Sequence, residues 1–402
     1  MTTEVDQLLR RWYLGQLIVL MGAALLQLLI IQNGDYFATV GLLLILLFLG
    51  GLLPVFETGT DYRDWPRFRR FNHYFQAIFQ FMFMPFLLMS LVVMLKRWTP
   101  LDEQGLIAVA FFYLMWLFVP IGYVTMGPVK SLLGRILLLI SVVFSGLIGA
   151  QPTFMALPLL KAPAVFNLVS DSGVLGAIGF VVTVGLLATA WGFHWPSWRL
   201  AKKADWHWLV LIALAGVAFI IWNAFGVGET WRTTFTQFDF KLQALSWKMF
   251  LGGLEPGIAE EWLYRFAVLV LFLKAFEHRR HQLDWSVGLS SGLFGLWHLT
   301  NALAGQSLAA TVEQMIFAAS LGCFLAVSYL YSGSLLVPIT IHAGVDIFSM
   351  MASGSQTMTK PDAFEWQTIL FTVIVFGLIT IFFLTGRRRQ VMQAQVDHQL
   401  RP

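Results

Sequence analysis

The sequence predicts an all-α polytopic membrane protein of about twelve transmembrane helices, with a distinct helical core in its C-terminal part. Three observations carry this reading. Hydrophobic residues make up 58% of the 402-residue chain and charged residues 12%, against roughly 45–50% and 25% in a soluble domain. Mean hydropathy is +0.72. Apolar runs near the ~20 residues that a helix needs to cross a bilayer recur along the chain. A water-facing globule is excluded. The net charge of +4 has the sign of a nucleic-acid binder, but in so apolar a chain it reflects Lys and Arg retained on the cytoplasmic side, and no nucleic-acid partner is expected. The one cysteine, Cys323, excludes an intrachain disulfide.

The apolar runs are 12–32, 36–56, 74–95, 105–129, 136–159, 173–195, 208–227, 257–276, 285–300, 308–331, 335–351 and 367–386. Each reads as a helix, because backbone groups in lipid must find partners within their own segment. The first is too long, and too soon followed by another, for a cleaved signal peptide. With the N-terminus in the cytoplasm and strict alternation, eighteen of the 26 Lys and Arg fall inside, among them Arg10, Arg11, Lys202, Lys203 and Arg401. Seven fall outside: Lys96, Arg97, Lys161, Arg232, Lys241, Lys248 and Lys360. Only Arg265 lies within a span. This asymmetry supports twelve spans with both termini cytoplasmic. Segment 229–255 is too polar to cross, yet its Phe235, Phe238, Leu242, Leu245, Trp247 and Phe250 suit either an amphipathic helix in the outer interface or a loop with buried apolar residues. The organisation is therefore an accessory bundle over 1–207, a core over 208–386 and a basic cytoplasmic tail over 387–402. Both ends, 1–9 and 387–402, read as short solvated tails.

The first seven spans are nearly free of charge. The later ones contain Glu260, Glu261 and Arg265 in the eighth, His298 in the ninth, Glu313 in the tenth, and His342 and Asp346 in the eleventh. A charge at mid-bilayer costs at least ~2.5–3.5 kcal/mol, so such groups face one another or a wet cavity. Pro256 and Gly257 suit the first turn of a helix, which puts Glu260 and Glu261 in its first or second turn. Glu261 and Arg265 are an i, i+4 pair in the favourable order. Glu260 points about 100° away and needs a partner from another helix. Phe294 and His298 share one helical face, as do His342 and Asp346. In the topology above, these residues meet in the outer half of the bilayer.

Glu and His together suit activation of a water, one group removing its proton and the other protonating a leaving amine. A further His and Asp suit water orientation or oxyanion stabilisation. The same four side chains, Glu260, His298, His342 and Asp346, also suit Zn²⁺, and spacing does not separate the two versions.

At these residues the pattern resembles a known family. Glu260-Glu261-Trp262-Leu263-Tyr264-Arg265 reads as EExxxR, Phe294-Gly295-Leu296-Trp297-His298 as FxxxH, and His342-Ala343-Gly344-Val345-Asp346 as HxxxD. Three motifs in this order, each on a membrane helix and spread over 251–351, are similar to the CPBP intramembrane proteases, also called the Abi or CAAX-protease family, which includes CAAX prenyl endopeptidase type 2. The resemblance implies a protease in which Glu260 and His298 activate water, Glu261 and Arg265 support them together with Phe294, and His342 and Asp346 position water or stabilise the oxyanion. Asn is frequent in the family where this chain has Asp346. The resemblance implies no required cofactor, with Zn²⁺ as the alternative. It also implies a bacterial cell-membrane location, a membrane peptide or protein as substrate, and a membrane-protein partner for the accessory bundle. Better-known members open their site to the cytosol, whereas the charge distribution here places it in the outer half.

Other signals are discounted. Gly288-Leu289-Ser290-Ser291-Gly292 matches GxSxG by letter, but a nucleophile elbow requires a strand-to-helix turn, and small residues in a membrane helix serve close packing. HExxH is absent. His73, His194, His207, His278 and His281 sit at span ends and read as interfacial. Two other functions compete: a proton-coupled twelve-helix transporter, disfavoured because the polar residues crowd one end of the chain, and a catalytically silent scaffold of the same fold.

Overall fold

The computed structural model describes residues 3–31, 34–56, 62–156, 162–303 and 305–400. The expectations placed on Gln32, Leu159, Lys161 and Arg401 fall outside them. Among the described residues the protein is helical, with one isolated bridge between Gly226 and Phe238. It divides into two compact units, Met1–Gly192 and Phe193–Pro402; the sequence reading put the change of organisation at 207/208.

The first unit contains α1 (Thr3–Ile31), α2 (Gly34–Phe56), α3 (Arg67–Trp98), α4 (Glu103–Met126), α5 (Leu132–Ala156), α6 (Ala164–Asp171) and α7 (Val174–Ala190). Asp102 starts α4 by accepting from Gly105 N at 2.6 Å, which satisfies one of the orphan donors of a helix N-terminus. α1 begins at Thr3 and buries Leu9, so the described part of the expected N-terminal tail is helical, while most of Thr3–Leu8 stays exposed. A neutral polar seam joins α1, α2 and α3. Tyr13 donates to Gly51 O (3.0 Å), Asn72 to Gly50 O (2.8 Å) and Gln80 to the Tyr13 hydroxyl (2.7 Å). Hydropathy did not reveal this seam, because uncharged amides barely lower the mean of an apolar run. His73 is fully buried, with Nδ1 2.8 Å from Thr125 O, and is not interfacial.

The second unit contains α8 (Trp206–Phe225), α9 (Trp231–Thr236), α10 (Trp247–Glu261), a π-helical segment (Trp262–Val268), α11 (Leu269–Ala275), α12 (Gln282–Trp297), α13 (Thr300–Leu303), α14 (Leu308–Ser332), α15 (Leu336–Ser353), α16 (Ala363–Phe383) and α17 (Gly386–Leu400). Caps explain several starts. Ser246 accepts from Met249 N, Ser307 from Ala310 N, and Asp362 forms a capping box with Glu365. Segment 193–205 packs within this unit. Ala201 N donates to Ser332 O and Leu335 N to Ser197 O, and Trp198 lies 5.7 Å from the ring of Trp262.

By length and composition, seven helices of the described residues can cross a membrane: α1, α3, α4, α8, α14, α15 and α16. An eighth arises if α6 and α7, bent by 55°, are one span. These apolar helices indicate an integral membrane protein. The count of twelve is not reproduced by this measure. The expected span 257–276 falls, but for Phe276, within a helical run from Trp247 to Ala275 that carries Glu255, Glu260, Glu261 and Arg265, and α12 has only 16 residues.

Two further expectations are corrected. Segment 229–255 does not form one amphipathic helix. α9 covers only Trp231–Thr236, after which the backbone pairs across Val227 N–Gln237 O and Asp239 N–Phe225 O. Those pairings satisfy backbone groups that a helix would otherwise need, and α10 starts afresh at Trp247. The described part of the C-terminal tail, 387–400, is not merely solvated. α17 buries Met392, Val396 and Leu400, an i, i+4, i+8 stripe. Full burial of each such side chain contributes roughly 1.5–3 kcal/mol.

Arg389 fastens α17 through two hydrogen bonds to Asp284, at 2.8 and 2.7 Å, and these hold the Asp284 carboxyl below its ordinary range. A carboxyl lowered in the folded state stabilises above its unfolded range, near pH 4, and loses that contribution as the pH falls through the lowered value. Both side chains are partly exposed, so the pair is worth at most about 1 kcal/mol. Acidification from about pH 6 to about pH 3 is therefore expected to speed hydrogen exchange in α17 ahead of α14. Asp284→Asn is expected to do the same without acid; mass spectrometry of exchanged peptides reads both.

Candidate active site

The site begins with two glycines. A Cβ on Gly253 would lie 2.6 Å from Ile347 N, and one on Gly257 would lie 2.6 Å from the Cβ of Ala343. This GxxxG pair lets α10 and α15 approach backbone to backbone, and the next turn of α10 carries Glu260 and Glu261. Pro256 lies inside α10, not in its first turn, so the two glutamates sit at the C-terminal end of α10. The reason is that Ser246 caps the helix nine residues before Glu255. Directly after Glu261 the helix widens into the π-helical turn that holds Arg265; such turns recur at functional sites.

Glu261 is the hinge of the cluster. Its Oε2 lies 3.0 Å from Arg265 Nε and its Oε1 lies 2.8 Å from His342 Nδ1. Glu261 and Arg265 have no solvent exposure. A carboxylate can only accept, so the proton of this contact is assigned to His342 Nδ1. His342 Nε2 then lies 3.4 Å from Asp346 Oδ2 and 3.8 Å from Glu260 Oε2. The expected i, i+4 pairs Glu261–Arg265 and His342–Asp346 both form. The partner that Glu260 needed from another helix includes His342.

Phe294 is the packing centre. The Arg265 guanidinium carbon lies 4.2 Å from its ring centroid, a cation–π contact. The ring meets His298 edge-on at 5.1 Å and His342 at 5.6 Å, and Tyr264 packs on it at 5.2 Å. His298 closes α12, and its Nδ1 lies 3.0 Å from Phe294 O. That hydrogen bond places a proton on Nδ1 and leaves Nε2 as the lone-pair nitrogen. Among the described residues His298 has no acidic side chain within ion-pair distance. It therefore joins the cluster through Phe294 and through the charges of His342 and Asp346, not by a direct contact with Glu260.

Two features escaped the sequence. Glu255 stands within electrostatic reach of Glu260, Asp346 and His342. The glycine pair sets the helix separation; of these two, only the GxxxG spacing was a readable signal. Among the described residues, no three His, Cys, Asp or Glu side chains form a group that could hold a metal ion.

Residues 242–348 match the family model described as type II CAAX prenyl endopeptidase Rce1-like. The match takes in all three motifs and supports a CAAX-type protease. No curated protein and no solved structure matches the chain.

If the close approach of α10 and α15 sets the cluster, Gly257→Leu is expected to destabilise the protein by about 1–3 kcal/mol or more through overpacking. Gly288→Leu is the control, because a Cβ there meets nothing within 4 Å. Unfolding midpoints of the two variants in one detergent test this; equal midpoints would contradict it.

Proposed function

We propose that the protein is an intramembrane endopeptidase that hydrolyses a peptide bond in a membrane-embedded or membrane-proximal peptide or protein. One observation carries the reading. Of two adjacent glutamates, Glu261 is tied to Arg265 and His342, while Glu260 has no Lys or Arg partner among the described residues and lies 3.8 Å from His342 Nε2. A carboxylate without a cationic lock, beside an imidazole in a protein-lined cluster, is the combination that water activation requires. The family match over 242–348 supports the same reaction class.

In this proposal a water held at Glu260 loses its proton to the carboxylate as its oxygen attacks the scissile carbonyl. His342, oriented by Glu261, faces the developing oxyanion, and Asp346 holds the imidazole from the other side. His298, with Nε2 free of its own helix, assists in activating the water. Collapse of the tetrahedral intermediate breaks the C–N bond, and the proton taken from water passes to the leaving amine. The proposal routes no step through a metal.

The remaining expectations belong to the same proposal. They are twelve spans, both termini cytoplasmic in a bacterial cell membrane, and a site in the outer half of the bilayer. The first unit would shape substrate access or bind a membrane-protein partner.

Glu260→Gln and His298→Ala are each expected to reduce cleavage by about 10²–10⁴-fold while leaving the helical circular dichroism intact. Comparing membrane peptidomes with wild type and Glu260→Gln identifies the substrate and gives the assay. Normal cleavage by both variants would overturn the assignment. A chelator is expected to leave activity unchanged; loss of activity that Zn²⁺ restores would move the mechanism to a metal.

A further inference from the structure

In the first unit, α1, α3 and α4 enclose a cavity of about 350 Å³. Its wall includes Gly15, Gln16 and Val19 of α1, Leu88 of α3, and Val109 and Tyr113 of α4, and no lining residue is charged. Apart from Gln16 and Tyr113, every lining side chain is apolar. Val19 and Val109 are exposed, so the cavity opens at the surface between α1 and α4. The two polar residues belong to one hydrogen-bond chain. Trp12 Nε1 donates to the Tyr113 hydroxyl at 2.9 Å, and that hydroxyl donates to Gln16 Oε1 at 2.9 Å. An indole N–H can only donate and an amide oxygen can only accept. The direction of the chain therefore fixes the amide: its oxygen meets Tyr113 and its nitrogen is left over. Gln16 is 5% exposed, and its Nε2 is buried with no hydrogen-bond partner among the described residues. The cavity thus combines an apolar wall with one unused donor.

We propose that this cavity binds a small, uncharged, carbonyl-bearing lipophile of the quinone or ketone kind, whose carbonyl oxygen accepts from Gln16 Nε2. The site is separate from the glutamate–histidine cluster and does not rest on the proteolytic reading. Three points select this class of ligand. A buried donor left unpaired costs free energy that an acceptor returns, and hydrocarbon offers no acceptor. A buried water makes about three hydrogen bonds, whereas the side chains of this cavity offer it two groups. Depth excludes the ester groups of the bilayer itself. Gln16 lies near the middle of α1 and Tyr113 near the middle of α4, both long enough to cross a membrane, and the hydrocarbon core extends ~15 Å to either side of its midplane. An acceptor at that depth belongs to a molecule without a charged or strongly hydrated head, which agrees with the uncharged wall. The volume falls in the range of small-molecule pockets, ~300–1,000 Å³. Gly15 fits the same reading. A Cβ there would meet nothing within 4 Å, so helix packing does not require the glycine, and its missing side chain is space added to the cavity.

The test uses the full chain in dodecylmaltoside, a detergent without carbonyl groups. The two probes share one shape: duroquinone, and hexamethylbenzene, which has methyl groups where the quinone has its oxygens. Dissociation constants are read from the rise of the unfolding midpoint with probe concentration. Duroquinone is expected to bind the wild type about tenfold more tightly than hexamethylbenzene, or better. Its infrared carbonyl stretch is expected to move to lower wavenumber on binding. Gln16→Leu is expected to abolish both the preference and the carbonyl shift. Gly15→Leu, which puts a side chain into the cavity without a clash at its Cβ, is expected to abolish binding of both probes. Should Gln16→Leu not fold, the carbonyl shift in the wild type and its loss in Gly15→Leu decide the matter. Equal affinities for the two probes, no binding of duroquinone, or binding that survives Gly15→Leu would overturn the proposal. Cleavage by the Glu260 variants bears on the other site alone, so the failure of either reading is recognised separately.

Discussion

The cluster depends on how closely α10 and α15 can approach. At Gly253 and Gly257 there is no room for a Cβ, and that proximity puts Glu261 Oε1 within 2.8 Å of His342 Nδ1. Burying a charge is costly unless it is paired and hydrogen-bonded. Glu261 and Arg265 have no exposure at all, so each needs the other, and Glu261 also needs the imidazole. Once this set is assembled, little freedom is left to the neighbouring side chains. His342 is fixed in ring orientation, Phe294 is fixed under the guanidinium, and Glu260 is brought beside the second imidazole nitrogen. A larger residue at either glycine would strand the Glu261–Arg265 pair without its third member.

The two units solve the membrane polar-group problem in different ways. The first unit uses neutral groups. Tyr13, Asn72 and Gln80 reach backbone carbonyls or one another across α1, α2 and α3. Interhelical hydrogen bonds of this kind contribute on the order of 0.6 kcal/mol each in a membrane protein, which fastens helices without fixing a charge. The second unit concentrates ionisable groups on α10, the π-helical turn and α15. Such groups are poor value as fasteners, since an apolar core of equal volume stabilises as well or better. In the proposed function their presence serves chemistry, and the family match is confined to this unit.

The difference between the two halves of the first motif follows from the same packing. An i+4 step places Arg265 over Glu261, and the neighbouring position turns Glu260 away from that cation. Its partner then comes from another helix: His342 on α15, whose Nε2 lies 3.8 Å away. Two adjacent carboxylates are therefore engaged differently without any change in their identity, because only Glu261 also meets the guanidinium.

The sequence alone determined the helical class, the membrane setting and the i, i+4 pairs Glu261–Arg265 and His342–Asp346, because those follow from local hydropathy and from 3.6-residue periodicity. It did not determine where α10 begins, since the Ser246 cap outweighed the signal of Pro256. Nor did it determine that 229–255 breaks into α9 and paired backbone, or that α17 packs, since its sparse stripe of Met392, Val396 and Leu400 means something only against a receiving surface. The tertiary structure alone decided that Glu261 links Arg265 to His342 and that His298 reaches the cluster by way of Phe294. The contacts of Glu261 and of Phe294 with His342 join residues tens of positions apart, and their distances are set by how closely helices pack, a quantity that no single helix encodes.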